Sequence, residues 1–123
     1  MQESESFEIT TDQDIMRARM RTRQMARQAG LAILDQARIS MAMSVLAQTL
    51  ELGKINNGTI SICILDNDSR RGLEVDCITK GEFAIDSIMA KLRFEEWRQM
   101  VDDIIVRFVS PEDLQVTLVK LNS

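Results

Sequence analysis

The sequence predicts an α+β domain: a two-layer sandwich in which helices cover one face of a mixed, mostly antiparallel sheet. Three observations carry that prediction. Residues 59–65 and 73–77 alternate apolar and polar side chains with period two, as half-buried strands do. Two earlier stretches, 12–29 and 35–53, space their apolar residues three and four apart, as one face of a helix does. The full order of elements, βααββαββ, sorts strands and helices into separate layers. A length of 123 residues, 45% apolar and 28% charged with one proline and five glycines, suits one globular core.

Taken in order, residues 1–6 are polar and acidic and are expected to fray, leaving a single domain over 7–123 that begins with a short strand at 7–10. Thr11 and Asp14 stand at the spacing of a capping box, and Gly30 supplies the stop for a helix over 12–29. Its inward face is Ile15, Ala18, Thr22, Met25, Ala26 and Ala29; Arg17, Arg19, Arg21, Arg23 and Arg27 gather on its sides and outer face. The next helix, 35–53, has Asp35 as its expected N-cap and Gly53 as its stop. Ile39, Met43, Leu46 and Leu50 form its buried stripe, widened by Ala42, Val45 and Leu52. Arg38, Ser44, Gln48 and Thr49 fall along or beside that stripe, where a ligand or partner could meet them.

A turn-rich link over 54–58 leads to the hairpin 59–65 and 73–77 across Asp66-Asn67-Asp68-Ser69. A loop over 79–85 precedes a helix over 86–103 with Ile88, Leu92, Trp97, Met100 and Val101 apolar. A second hairpin, 104–109 and 114–121, turns at Ser110-Pro111-Glu112-Asp113 and completes the order.

Composition removes several kinds of chemistry. The chain has no histidine, which excludes a histidine-based triad and a typical zinc site. Its two cysteines, Cys63 and Cys77, lie in strand-like segments and read as buried thiols rather than a disulfide or metal site. No apolar run approaches the length of a membrane span, and the first residues lack the basic and apolar regions of a signal peptide, so the expected location is the cytoplasm. The methionines read mainly as core filler.

Asp14-Ile15, the Ala/Arg-rich helix after it, 34–39, Ala42, Ser44 and Leu46-Ala47 together resemble the first two helices of the bacterial anti-sigma serine/threonine kinases. Those proteins carry the GHKL, or histidine-kinase-like, ATPase fold. Gly72-Leu73-Glu74-Val75 is similar to the strand before that family's ATP-binding loop, 100–103 to the end of its last helix, and 116–120 to its closing strand. The resemblance implies where a nucleotide site would stand, and the chain departs from it there. The glutamate and asparagine that serve as base and magnesium support on the second helix correspond to Val45 and Thr49. In the Asp-x-Gly-x-Gly loop, Thr79 replaces the adenine-binding aspartate, Gly81 keeps the first glycine and Phe83 replaces the second. No glycine-rich phosphate loop lies between Ile88 and Glu96.

These departures lead to the expectation of a pseudo-kinase without cofactor or metal, a regulatory domain that binds a protein. Arg17, Arg19, Arg21, Arg23 and Arg27 are its candidate docking residues, because arginine pairs carboxylates in bidentate geometry. The resemblance implies a STAS-domain protein, a sigma factor or a second copy as partner. Two other readings stay open. One is a divergent ATP-dependent kinase using ATP and magnesium; the other is a nucleic-acid binder through the basic helix 12–29, which the net charge of −4 and the scarcity of aromatics disfavour.

Overall fold

A computed structural model describes residues 3–81, 85–92, 95–110 and 112–122. Its elements are β1 (Ser4–Ile9), α1 (Asp12–Gln28), α2 (Ile33–Thr49), β2 (Gly58–Asp66), β3 (Arg71–Lys80), α3 (Ile85–Lys91), α4 (Glu95–Met100), β4 (Asp103–Ser110) and β5 (Asp113–Leu121). The α+β architecture is the one the alternation and helical spacing predict. The five strands lie in the order β1-β2-β3-β5-β4, and every pairing is antiparallel, so the sheet contains no parallel pair of strands among the described residues.

Period two decides which side chains meet the helices. Ile60 and Ile62 of β2, Leu73, Val75 and Cys77 of β3, and Leu114, Val116 and Leu118 of β5 are all buried in one cluster. Their register places Ile62 beside Val75 and Val75 beside Leu118, so three central strands present one continuous apolar face. Against it, α1 buries Ala18, Thr22, Met25 and Ala26, and α2 buries Ile39, Ala42, Met43, Leu46 and Ala47. Small residues at 18, 26, 42 and 47 let the helices approach closely, and α1 lies over β1–β3 while α2 reaches β5 and packs on α4.

The first helix begins and ends as its sequence indicates. The Thr11 hydroxyl accepts from the Asp14 N–H at 3.2 Å, and the Asp14 carboxylate accepts from the Thr11 N–H at 3.0 Å. Gly30, at φ 84°, ends it with the Leu31 N–H donating to the Ala26 carbonyl. The second helix differs at both ends. It starts at Ile33 after an extended Ala32, with Asp35 inside its first turn, because the Asp35 carboxylate is held there by Lys120 of β5 at 3.6 Å and Arg38 at 3.3 Å. It stops at Thr49, and the left-handed residue is Glu51 at φ 54° rather than Gly53. Leu50 and Leu52 are both fully buried, so the chain must reverse between them whatever residue stands at 51. Gly53, also at positive φ, serves the turn after it, where a Cβ would come within 2.9 Å of the Thr11 backbone.

Two other boundaries move. Residues 4–6 are not frayed: Ser4, Glu5 and Ser6 pair with Cys63, Ile62 and Ser61, so the edge strand starts three residues before the expected 7. The expected helix 86–103 is two short ones, α3 and α4, and Asp103 already belongs to β4. Trp97 accounts for α4's position: it is buried and its indole N–H donates to the Lys91 carbonyl at the end of α3.

Candidate functional site

The positions singled out by sequence do not converge on a cavity. Thr49, at the end of α2, donates its hydroxyl to the Val45 carbonyl one turn back at 2.8 Å, and Val45 itself is half-buried beside the main core. Thr79, only 1% exposed, donates to the Asn57 carbonyl at 2.8 Å and so ties β3 to the link before β2. Gly81 donates its N–H to the Glu112 carbonyl, closing the turn between β4 and β5 against the end of β3. Phe83, like Phe94, lies outside the described residues. Val45, Thr49, Thr79 and Gly81 line none of the four most pronounced surface clefts among the described residues.

Two of these clefts lie along the groove between α1 and α2. At one end is a cleft of about 320 Å³ between Asp12, Ile15, Met16 and Arg19 of α1 and Ser44, Gln48 and Glu51 on the other side. The Ser44 hydroxyl is buried there with no hydrogen-bond partner among the described residues. At the other end a cleft of about 590 Å³ is lined by Met20, Arg23, Gln24, Arg27, Ile33 and Gln36. Met16, Met20 and Ile33 are 63%, 60% and 76% exposed, so three apolar side chains stand beside the arginines.

The five arginines are not equivalent. Arg21 is already paired at the surface, bonded to Glu5 of β1 and to Gln24. Arg17 reaches the Asp14 carboxylate at 3.7 Å, an exposed pair on its own helix. Arg19, Arg23 and Arg27 make no ion pair among the described residues, and they line the two clefts. Sequence placed the arginines on the outer side of the helix correctly, and the structure sorts them. Met16, Met20 and Ile33 escaped sequence analysis as surface residues, since methionine and isoleucine default to core filler; the signal was that Met16 and Met20 fall off the helical stripe through Ala18, Thr22 and Met25. Met25 and Met43 are buried as core filler.

The titratable groups with displaced proton affinities lie elsewhere. On the sheet face opposite the helices, burial and the neighbouring Asp76 carboxylate push the Glu74 carboxyl above its ordinary value. Asp76 accepts from the Thr117 hydroxyl and, at 3.5 Å, from the Gln115 amide. Burial raises the Cys77 thiol to about 12, and Cys63 also shifts upward, first through desolvation and then through Glu74 and Asp76. These thiols are poor nucleophiles, and no disulfide joins them.

A raised carboxyl carries a definite sign. Below the ordinary glutamate range Glu74 is protonated in both folded and unfolded chains and costs nothing. As pH rises the unfolded chain releases the proton first, so stability falls until the folded value is passed. Glu74→Gln is therefore expected to raise the Tm at pH 7 by about 1–3 °C, with the difference vanishing near pH 4, in parallel thermal melts followed by circular dichroism.

No group of three or more histidine, cysteine or acidic side chains among the described residues is placed to hold a metal ion. No helix among them is long and apolar enough to cross a membrane. No protein-family model matches the chain, and no curated protein is significantly similar to it.

Proposed function

We propose that the chain is a non-catalytic regulatory domain of the GHKL type, a pseudo-kinase of the anti-sigma class that acts in the bacterial cytoplasm by holding a protein partner. The observation that carries this reading is the use of both family-site hydroxyls within the fold: Thr49 bonds its own helix and Thr79 bonds Asn57. Thr79 is 1% exposed and so closed to an adenine, and Thr49 offers magnesium only the lone pairs of a hydroxyl, a poorer ligand than a carboxylate or amide oxygen. Phosphoryl transfer draws nearly all its rate from metal and positioning, so a site lacking both transfers nothing. The layout of two helices between the first strands, with a further helical segment before the closing hairpin, supports the resemblance.

Partner binding is assigned to Arg19, Arg23 and Arg27 with Met16, Met20 and Ile33, an exposed combination of guanidinium and apolar groups of the kind enriched at protein interfaces. Of the candidate arginines, Arg21 is left out of the assignment because it already pairs with Glu5 at the surface. The partner class follows the resemblance: a STAS-domain protein or a sigma factor.

Calorimetric titration with Mg-ATP is expected to give no binding heat at millimolar nucleotide. Micromolar binding that disappears in Gln48→Ala, at the cleft beside Ser44, overturns the pseudo-kinase reading in favour of an ATP-dependent kinase. Affinity capture from the native cell should retain a specific protein that Arg19→Glu/Arg23→Glu loses; a double variant that keeps every partner sinks the docking assignment.

A further inference from the structure

The sheet has two edges of opposite character. The β1 edge is short and carries Glu5 and Glu8, with Glu5 tied back to Arg21. The β4 edge pairs with β5 on one side only among the described residues. Its sequence, DIIVRFVS, is β-branched and aromatic at five of eight positions. On the helix side Ile104, Val106 and Phe108 remain only partly buried. On the other side Ile105 is 39% and Val109 70% exposed. An apolar edge strand packed on one face and exposed on the other leaves a row of backbone donors and acceptors at its outer edge ready for another strand.

Its two charges choose the strand. Asp103 and Arg107 are exposed, lie on the same face as Ile105, and make no ion pair among the described residues. We propose that β4 pairs antiparallel with β4 of a second copy about a two-fold axis through Ile105, joining the two sheets into one. In that register Asp103 lies opposite Arg107 of the second copy, Ile105 opposite its counterpart, and Ile104 opposite Val106, and the symmetry repeats each contact. A one-residue slip in the pairing moves each Asp103 off its arginine, so the charges fix the register. The overlap is five residues per chain and well below the size of a standard interface, so the dimer is a concentration-dependent one. The groove between α1 and α2 belongs to the helical layer over β1–β3 and β5, so this pairing leaves the arginine surface open and does not depend on the function proposed above.

Charge reversal tests the register directly. Asp103→Arg sets arginine against arginine, and Arg107→Asp sets aspartate against aspartate; each is expected to raise the dimer Kd by about tenfold or more in sedimentation equilibrium. Mixed in equal amounts, the two variants again place opposite charges across both positions and should form a heterodimer as tight as the wild-type dimer. Recovery in the mixture also shows that both variants fold. The proposal is overturned if the wild type stays monomeric at several hundred micromolar, if either variant alone dimerises as well as the wild type, or if the mixture remains monomeric.

Discussion

Thr79→Asp, which would supply the nucleotide-binding aspartate that the proposed GHKL reading calls for, is expected to destabilise the protein by about 3–5 kcal/mol. Thr79 is 1% exposed and its hydroxyl is a donor to the Asn57 carbonyl. A carboxylate at that place has no proton to give and sets a negative charge against a carbonyl oxygen in a dry environment. Urea denaturation should show a large drop in midpoint for Thr79→Asp. Thr79→Ser, which keeps the donor, should cost no more than about 1.5 kcal/mol. An aspartate variant that is as stable as the parent and gains Mg-ATP binding would mean that the site is open and that the pseudo-kinase reading misplaces it.

Gly72→Ala is expected to be comparably damaging, with a loss of about 3 kcal/mol or more. Its backbone sits at φ 157°, and a Cβ would lie 2.1 Å from the Lys120 carbonyl oxygen and 2.8 Å from the Leu121 Cα. Those contacts are backbone, so nothing flexible can give way; β3 and β5 must separate where Gly72 pairs with Leu121. The disturbance reaches beyond the strand pair. Lys120 is the cation that holds Asp35 in the first turn of α2 and Asp102 before β4, so moving it loosens three elements together. Guanidinium denaturation with far-ultraviolet circular dichroism measures the loss, and a wild-type midpoint in Gly72→Ala would show that the strands are free to shift at this point.

Local patterning made most of the architecture legible. The capping box at Thr11 and Asp14, the glycine stop at Gly30, and the alternation in β2 and β3 are each set by residues within a few positions of one another, and each is found where its residues stand. The failures share a cause. Asp35 has the chemistry of an N-cap, but its carboxylate serves Lys120, which is eighty-five positions further on in the chain by the difference of their numbers. Glu51 takes a left-handed conformation that its own side chain disfavours because Leu50 and Leu52 on either side are buried. The split between α3 and α4 follows Trp97 capping the end of the preceding helix, a contact that periodicity cannot register.

For the candidate site the division is sharper. Sequence by itself determined the α+β class, the placement of the arginines on the outer side of the first helix, and the absence of histidine chemistry, because composition and helical period depend only on residue order. Only the tertiary structure decided that Arg21 pairs with Glu5 while Arg19, Arg23 and Arg27 make no ion pair among the described residues, that Thr49 and Thr79 donate to carbonyls of the fold, and that Met16, Met20 and Ile33 face outward. The physical reason is that a polar group's availability depends on which distant partner reaches it first, and that is settled when the layers pack.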